Sequence, residues 1–233
     1  MITLRPSSER GYFDFGWLKT HHSFSFGDYQ DAAHTHFRSL RVINEDYVNA
    51  GMGFPTHGHR DMEIVTFIIE GELEHKDSMG TGSVIRPGEV QYMSAGSGVT
   101  HSEFNPSKKN PTHLLQIWIF PAKNGQKPVY AQKDFSQAMK NEGLTILVSG
   151  SPSEDAVVIR QDAGIYHGRL KPGGKMVYQP VKGRGIWIQM IQGKISVLNK
   201  TLSAGDGAAI EDEKNIGIAS AGEESRFLLF DLK

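Results

Sequence analysis

Phe67-Ile-Ile-Glu-Gly71-Glu-Leu73 and Gln189-Met-Ile-Gln-Gly193-Lys-Ile195 are two copies of one pattern, and their repetition decides the fold. In each copy an apolar run stops at a glycine and resumes as an alternating run, which reads as strand, tight turn and strand. Each copy is followed by a further glycine turn ahead of a strand, Arg86-Pro-Gly88-Glu-Val90 in the first and Ser203-Ala-Gly205-Asp-Gly207 in the second. A unit repeated across the chain predicts two similar β-domains in tandem. Outward from these anchors, strands are predicted at 39–43, 63–70, 72–76, 90–94, 101–104 and 112–120. A second series is predicted at 144–148, 157–161, 176–179, 186–191, 194–198, 208–210 and 226–232. One helix is predicted, Asp134-Phe-Ser-Gln-Ala-Met-Lys140, capped by Asp134 and ended by Gly143. Sheets built from many short strands dispose of their edges by closing into barrels or sandwiches. The expected fold is therefore all-β: two tandem β-barrel or jelly-roll domains with few short helices. The first domain is expected over 1–125, a helical linker over 126–143 and the second domain over 144–233.

Composition narrows the chemistry. Glycine accounts for 26 of 233 residues, about 11% against a usual share near 7%, which fits a turn-rich β chain. Cysteine is absent, so disulfides, thiolate metal sites, iron–sulfur clusters and cysteine nucleophiles are excluded. Lys and Arg total 25 against 26 Asp and Glu, so there is no bulk attraction toward phosphate backbones, and no direct nucleic acid binding is expected. Apolar stretches such as Leu114-Leu-Gln-Ile-Trp-Ile-Phe120 fall far short of the ~20 residues a membrane helix needs. The N-terminus lacks the basic segment and apolar core of a signal peptide. A soluble, cytoplasmic protein with no membrane partner is the expectation.

Two short motifs carry chemistry. In a strand, residues i and i+2 share a face, so His57-Gly-His59 presents two imidazoles together and His101-Ser-Glu103 an imidazole and a carboxylate. Two strands of one small barrel could bring these four donors, His57, His59, His101 and Glu103, to one interior point. Three histidines and a carboxylate suit one divalent transition metal with open positions for water or substrate. Iron is the first expectation, with copper, nickel, manganese, cobalt or zinc as the other options. Strand parity leaves a rival for the fourth position, because Glu63 shares a face with His57 and His59. Strand spacing favours Glu103, with Glu63 expected as an outer partner of a histidine or a solvated strand start.

A family resemblance enters on these residues. Gly51-x5-His57-x-His59-x3-Glu63 resembles the first cupin motif, with Gly71 one step beyond the usual glycine, and Gly98-x2-His101-x3-Asn105 resembles the second, with Gly96 where proline is common. More narrowly, the chain resembles the pirin family of double cupins in several stretches. These are Gly16-Trp-Leu-Lys-Thr-His-His-Ser-Phe-Ser-Phe26, Leu40-Arg-Val-Ile-Asn44, His57-Gly-His-Arg-Asp-Met-Glu63, Ser94-Ala-Gly-Ser-Gly-Val-Thr-His-Ser-Glu-Phe-Asn105 and Gln116-Ile-Trp-Ile119. The match covers most of residues 1–120 and is looser beyond. The resemblance implies one metal in the N-terminal barrel on the positions of His57, His59, His101 and Glu103, and a C-terminal barrel without ligands. The sequence agrees with the second point, since His167 is the only histidine beyond residue 113.

The resemblance also implies a function. Bacterial pirins are associated with quercetin 2,3-dioxygenase activity, so the expected partners are a flavonol and dioxygen, with Glu103 as the base. Nuclear pirins are associated with transcriptional co-regulation, which leaves a metal-state-dependent protein-binding module as the alternative. A third option is another metal reaction on a small molecule, distinguished by its indifference to oxygen. His21, His22, His34 and His36 are expected in a loop or strand lid, and His75 and His113 as satisfied polar side chains on strands. Phe54, Met62 and Phe67 are expected in the pocket wall or core.

Overall fold

The apolar runs quoted above become central strands in both halves. In the computed structural model, which describes residues 1–233, Glu63–Glu70 and Gly185–Gln192 are each buried along nearly their whole length. Each fully buried Ile, Val, Leu or Phe side chain contributes about 1.5–3 kcal/mol of transfer free energy, so these runs anchor the sheets. The repeat glycines end them for a backbone reason. Gly71 sits at φ +78° and Gly193 at φ +72°. A Cβ on Gly71 would lie 2.7 Å from the Pro111 carbonyl oxygen, and one on Gly193 2.3 Å from that of Glu224. Only glycine fits a left-handed turn with the chain passing so close.

The unit comprising Gly11–Ser136 and Val157–Gln161 holds two antiparallel sheets. One runs in the order Val129–Asp134, Glu89–Ser94, Glu63–Glu70, Thr112–Ile119, Leu40–Val48, Leu18–His22 and Gly11–Asp14. The other runs Gly53–His59, Val99–Phe104, Leu73–Asp77 and Gly82–Ile85. Its interior is packed by Leu18, Val48, Ile68, Leu73, Ile85 and Leu114. Along Val99–Phe104 burial alternates, so Val99, His101 and Glu103 face inward.

The other unit comprises Met1–Arg10, Gln137–Ala156 and Asp162–Lys233. Its larger sheet begins Ile2–Arg5, Gly207–Ile210, Gly185–Gln192, Ser225–Leu232, Ala163–Leu170 and Gly143–Ser149. Its smaller sheet runs Lys175–Tyr178, Ile216–Ser220, Lys194–Val197 and Lys200–Ser203. Ile186, Ile188, Ile195, Leu202, Ile216, Ile218, Phe227 and Leu229 fill the space between them. No helix is long and apolar enough to cross a membrane.

The structure departs from the expected boundaries in three places. Residues 1–10 belong with the C-terminal barrel, because Ile2–Arg5 pairs residue for residue with Gly207–Ile210 and satisfies that edge. Val157–Gln161 belongs with the N-terminal one. The predicted helix is absent: Val129–Asp134 is a strand paired with Glu89–Ser94, and only a 3-10 turn, Ala138–Lys140, follows it. Asp134 accepts a hydrogen bond from the Ser136 amide at 2.7 Å, closing a turn where a helix cap was expected. Seven residues are too few to offset the cost of helix nucleation when a sheet edge can take the backbone bonds instead.

Candidate metal centre

Gly53–His59 is an edge strand, the position in a sheet that tolerates proline, and Pro55 lies within it. Val99–Phe104 pairs beside it, with His101 opposite His57 and Glu103 opposite Phe54. Two steps along one strand against three along the other mark a β-bulge around Pro55, which aims the side chains on either side of it. His57, His59 and His101 converge, with one ring nitrogen from each within 4.8 Å of the others.

Hydrogen bonds fix which nitrogens point inward. The Nδ1–H of His57 donates to the Pro55 carbonyl at 2.8 Å, so its Nε2 carries a lone pair. That Nε2 faces the Nε2 of His101 at 3.0 Å. On its other side His101 meets Nδ1 of His75 at 3.5 Å, and His75 Nε2 meets Asp77 Oδ2 at 3.1 Å. If Asp77 holds a proton on His75 Nε2, then His75 Nδ1 accepts from His101 Nδ1, and the His101 Nε2 lone pair also turns inward; the tautomers follow from the bonding pattern. Two lone pairs facing at 3.0 Å repel unless a cation lies between them. Burial lowers His101 to about 2, with His59, His57 and His75 adding to the effect. Burial, then His57, lowers His59 to about 4. His59 and His101 are thus neutral at physiological pH, the form that binds metal, and the donor set fits a divalent transition metal.

Glu103 is 3% exposed and joins a second trio with His75 and His101. Gln116 Nε2 donates to both of its oxygens, at 3.0 and 3.3 Å. Burial raises its pKa to about 7, against the Gln116 hydrogen bond and with help from the Asp46 carboxylate. Glu63 has a different use. It is buried and accepts from Tyr92 Oη, from Ser94 Oγ at 2.8 Å and from the Arg160 amide at 3.2 Å. It belongs to neither trio, and it is not the solvated strand start that its sequence position allowed.

A cavity of about 350 Å³ opens on the histidines, lined by Phe26, Phe54, Trp118, Asn44, Asp46 and Gln116 as well as His57, His59 and Glu103. Trp118 meets His59 edge-on at 4.9 Å. Asn44 Oδ1 and Trp118 Nε1 are buried with no hydrogen-bond partner in the protein, one acceptor and one donor left for a ligand. A second cavity of about 330 Å³, lined by Phe13, Phe15, Trp17 and His22, shares Phe26, Phe54, Asn44 and Asp46 with it.

The other histidines lie outside the two trios. His21 packs on Tyr12 at 4.8 Å and His22 edge-on to Phe26, both from the strand Leu18–His22. His34 is bonded to Asp31 at 2.9 Å and His113 to Glu45 at 2.9 Å. Of the expected wall residues, Phe54 lines the cavity, while Met62 packs beside the core around Ile64 and Phe67 is buried. Sequence reasoning placed His75 among satisfied strand residues and missed that it links Asp77 to His101. The signal was present: His75-x-Asp77 has the same i, i+2 parity as His57-x-His59 and His101-x-Glu103.

Two antiparallel two-sheet barrels, one of them enclosing a histidine cluster, define a double cupin. The chain belongs to the pirin family, whose model, described as Pirin, matches residues 3–119, while a model described as a quercetinase C-terminal cupin domain matches residues 146–232. It is 43% identical over 232 residues to a quercetin 2,3-dioxygenase of Escherichia coli (strain K12), covering 100% of this chain and 99% of that relative. Among solved structures it is similar to YhhW from Escherichia coli, with TM-score 0.96, 42% identity and coverage of 100% and 98%. A complex of that bacterial pirin with nickel(II) superposes at TM-score 0.95 with 42% identity, covering 100% of this chain and 99% of that one. A quercetin 2,3-dioxygenase from Acinetobacter baumannii shares the fold at 21% identity and TM-score 0.80, covering 99% and 85%.

Proposed function

We propose that the chain is a metal-dependent quercetin 2,3-dioxygenase of pirin type, acting on a flavonol with dioxygen. His57, His59, His101 and Glu103 would hold one divalent metal ion, iron being the first expectation, and Glu103 would also serve as the base. The observation that carries this reading is the meeting of a three-imidazole cluster with a buried carboxylate of raised pKa at the wall of an aromatic cavity. A nickel complex of a 42% identical pirin supports it, as does the name of the Escherichia coli relative.

A bound divalent metal would supply Lewis acidity toward the flavonol 3-hydroxyl and a path for electrons between substrate and dioxygen. The chain supplies the rest. Phe26, Phe54 and Trp118 exclude water and hold a planar ring system by its faces and edges. Trp118 Nε1 and Asn44 Oδ1 meet one acceptor and one donor of the substrate. Glu103 takes the 3-hydroxyl proton on a carboxylate oxygen, and its pKa near 7 suits a group that must gain and release a proton at neutral pH. Gln116 keeps that carboxylate oriented through its two hydrogen bonds.

The test combines elemental analysis with quercetin decay, measured for protein reconstituted with each metal in air and without oxygen. One metal per chain, with oxygen-dependent decay and release of carbon monoxide, is the expected result. Oxygen-independent turnover would point to a different metal reaction. No turnover with any metal would return the chain to the regulatory reading.

A further inference from the structure

The C-terminal barrel contains a cavity of about 640 Å³ that no metal site explains. Its place in the fold follows from register. The repeat sets Leu73 against Ile195 and His75 against Val197. Glu103 pairs with His75 in the first barrel and Ile218 with Val197 in the second. Ile218 therefore stands where Glu103 does, and Ile216, two residues before it, where His101 does. Tyr178 faces Ile216 as His57 faces His101. On the other sheet a register shift recurs, between Ile68 and Glu70 in one barrel and between Met190 and Gln192 in the other. Past that shared landmark, Asp231 faces Ile186 as Trp118 faces Ile64. Two residues back, Leu229 faces Tyr166 as Gln116 faces Asn44.

Two of the metal positions are thus filled by Ile216 and Ile218, both buried in the core. The three positions that line the first cavity as His57, Trp118 and Asn44 line the second as Tyr178, Asp231 and Tyr166. The chemistry there is specific. Asp231, 7% exposed, accepts from Tyr178 Oη and from Arg184 Nε. Arg184 Nη1 also donates to Asp162 at 2.7 Å, so the guanidinium is already matched by two carboxylates. Tyr178, its hydroxyl hydrogen engaged in the bond to Asp231, keeps lone-pair capacity on the oxygen and so accepts from a ligand hydroxyl. The Tyr166 and Tyr178 rings, 5.9 Å apart and inclined at 58°, offer faces and edges to an aromatic ring. Exposed Lys182 at the rim adds a cation.

We propose that this cavity is a metal-free binding site for a small phenolic acid, its hydroxyl on the Tyr178–Asp231 pair and its carboxylate toward Lys182. The volume lies within the range of about 300–1,000 Å³ common to small-molecule pockets. The site is independent of the metal centre and of the reaction assigned to it.

The experiment titrates 4-hydroxybenzoate into the full chain loaded with diamagnetic zinc and labelled at isoleucine methyls. Ile146 lines this cavity and Ile64 packs beside Trp118 in the first barrel, so the two barrels report separately. A saturable shift at Ile146 is expected. It should weaken about five- to tenfold in Tyr178→Phe, as a lost hydrogen bond predicts, and similarly for benzoate, which lacks the hydroxyl. Lys182→Ala, an exposed change that leaves the core intact, should weaken 4-hydroxybenzoate and leave phenol unaffected. This variant decides the matter should Tyr178→Phe fail to fold. No saturable shift at Ile146, a shift at Ile64 alone, or equal affinity in wild type and Lys182→Ala would overturn the proposal.

Discussion

Glu103 and Glu63 are both buried carboxylates, yet losing the charge should have opposite consequences at the two positions. Glu103→Gln keeps the shape and one oxygen donor but cannot accept the flavonol proton. Metal occupancy should fall only in part, while turnover per bound metal drops about 10²- to 10⁴-fold. The residual rate should rise with pH as more substrate ionises unaided; equal turnover per metal in variant and wild type would remove Glu103 from the mechanism. In Glu63→Gln the amide nitrogen must face hydroxyl or amide donors from Tyr92, Ser94 or Arg160. Chemical denaturation should then show a loss of about 1–3 kcal/mol, with turnover per metal unchanged. His75 predicts a third pattern. His75→Leu removes the acceptor behind His101, and competition with a chelator should show metal affinity about 10- to 100-fold weaker. Unchanged affinity would reduce His75 to packing. Strand parity made the meeting of His57, His59 and His101 legible in the sequence, but parity could not tell the surroundings of Glu103 from those of Glu63. That separation depends on which sheet each carboxylate rises from, and pairing between distant strands decides it.

At the scale of the element, the strand Gly53–His59 matters most and was the hardest to read. Gly53-Phe-Pro-Thr-His-Gly-His59 contains two glycines and a proline, so its local preference argues against a strand. An edge position and a bulge tolerate that composition, and neither can be seen without the partner strand. Val129–Asp134 was missed in the same way, where a polar sequence hid an edge strand and the residues after it imitated a short helix. The apolar central strands carried their own signal, which is why Glu63–Glu70 and Thr112–Ile119 were found almost to the residue. The first residue of the histidine-bearing strand offers a test. A Cβ on Gly53 would lie 2.2 Å from the Glu103 carbonyl oxygen and 2.5 Å from Phe104 Cα. Gly53→Ala must push the strands Gly53–His59 and Val99–Phe104 apart, at a cost of about 1–3 kcal/mol. The unfolding midpoint of metal-free protein should fall, and metal affinity should fall with it. A variant with wild-type midpoint and affinity would show that the strands are not held in this close register.

For the whole molecule, one buried histidine of the C-terminal barrel links stability to pH. His167 is 2% exposed, and burial, aided by Arg226 and Arg169, lowers its pKa to about 4. Below about pH 6.5 the unfolded chain protonates this imidazole while the folded chain does not. Its contribution is therefore fully present above that pH and is lost as pH falls toward 4, at about 1.4 kcal/mol per unit. His167→Leu should flatten the dependence of unfolding free energy on pH across that window by one proton's worth; an unaltered slope would place the sensitivity elsewhere. The two-barrel plan was legible because the repeat is written in glycines, whereas the assignment of residues 1–10 was not, since nothing in Ile2-Thr-Leu-Arg5 names a partner some two hundred residues away. That pairing has a consequence in time. A ribosome adds roughly 5–20 residues per second, so Ile2–Arg5 waits on the order of 10–40 seconds before Gly207–Ile210 is even made. Until that partner exists, Ile2–Arg5 travels on the growing chain as an unclaimed β-edge, open to any strand in reach until the later-made barrel takes it up.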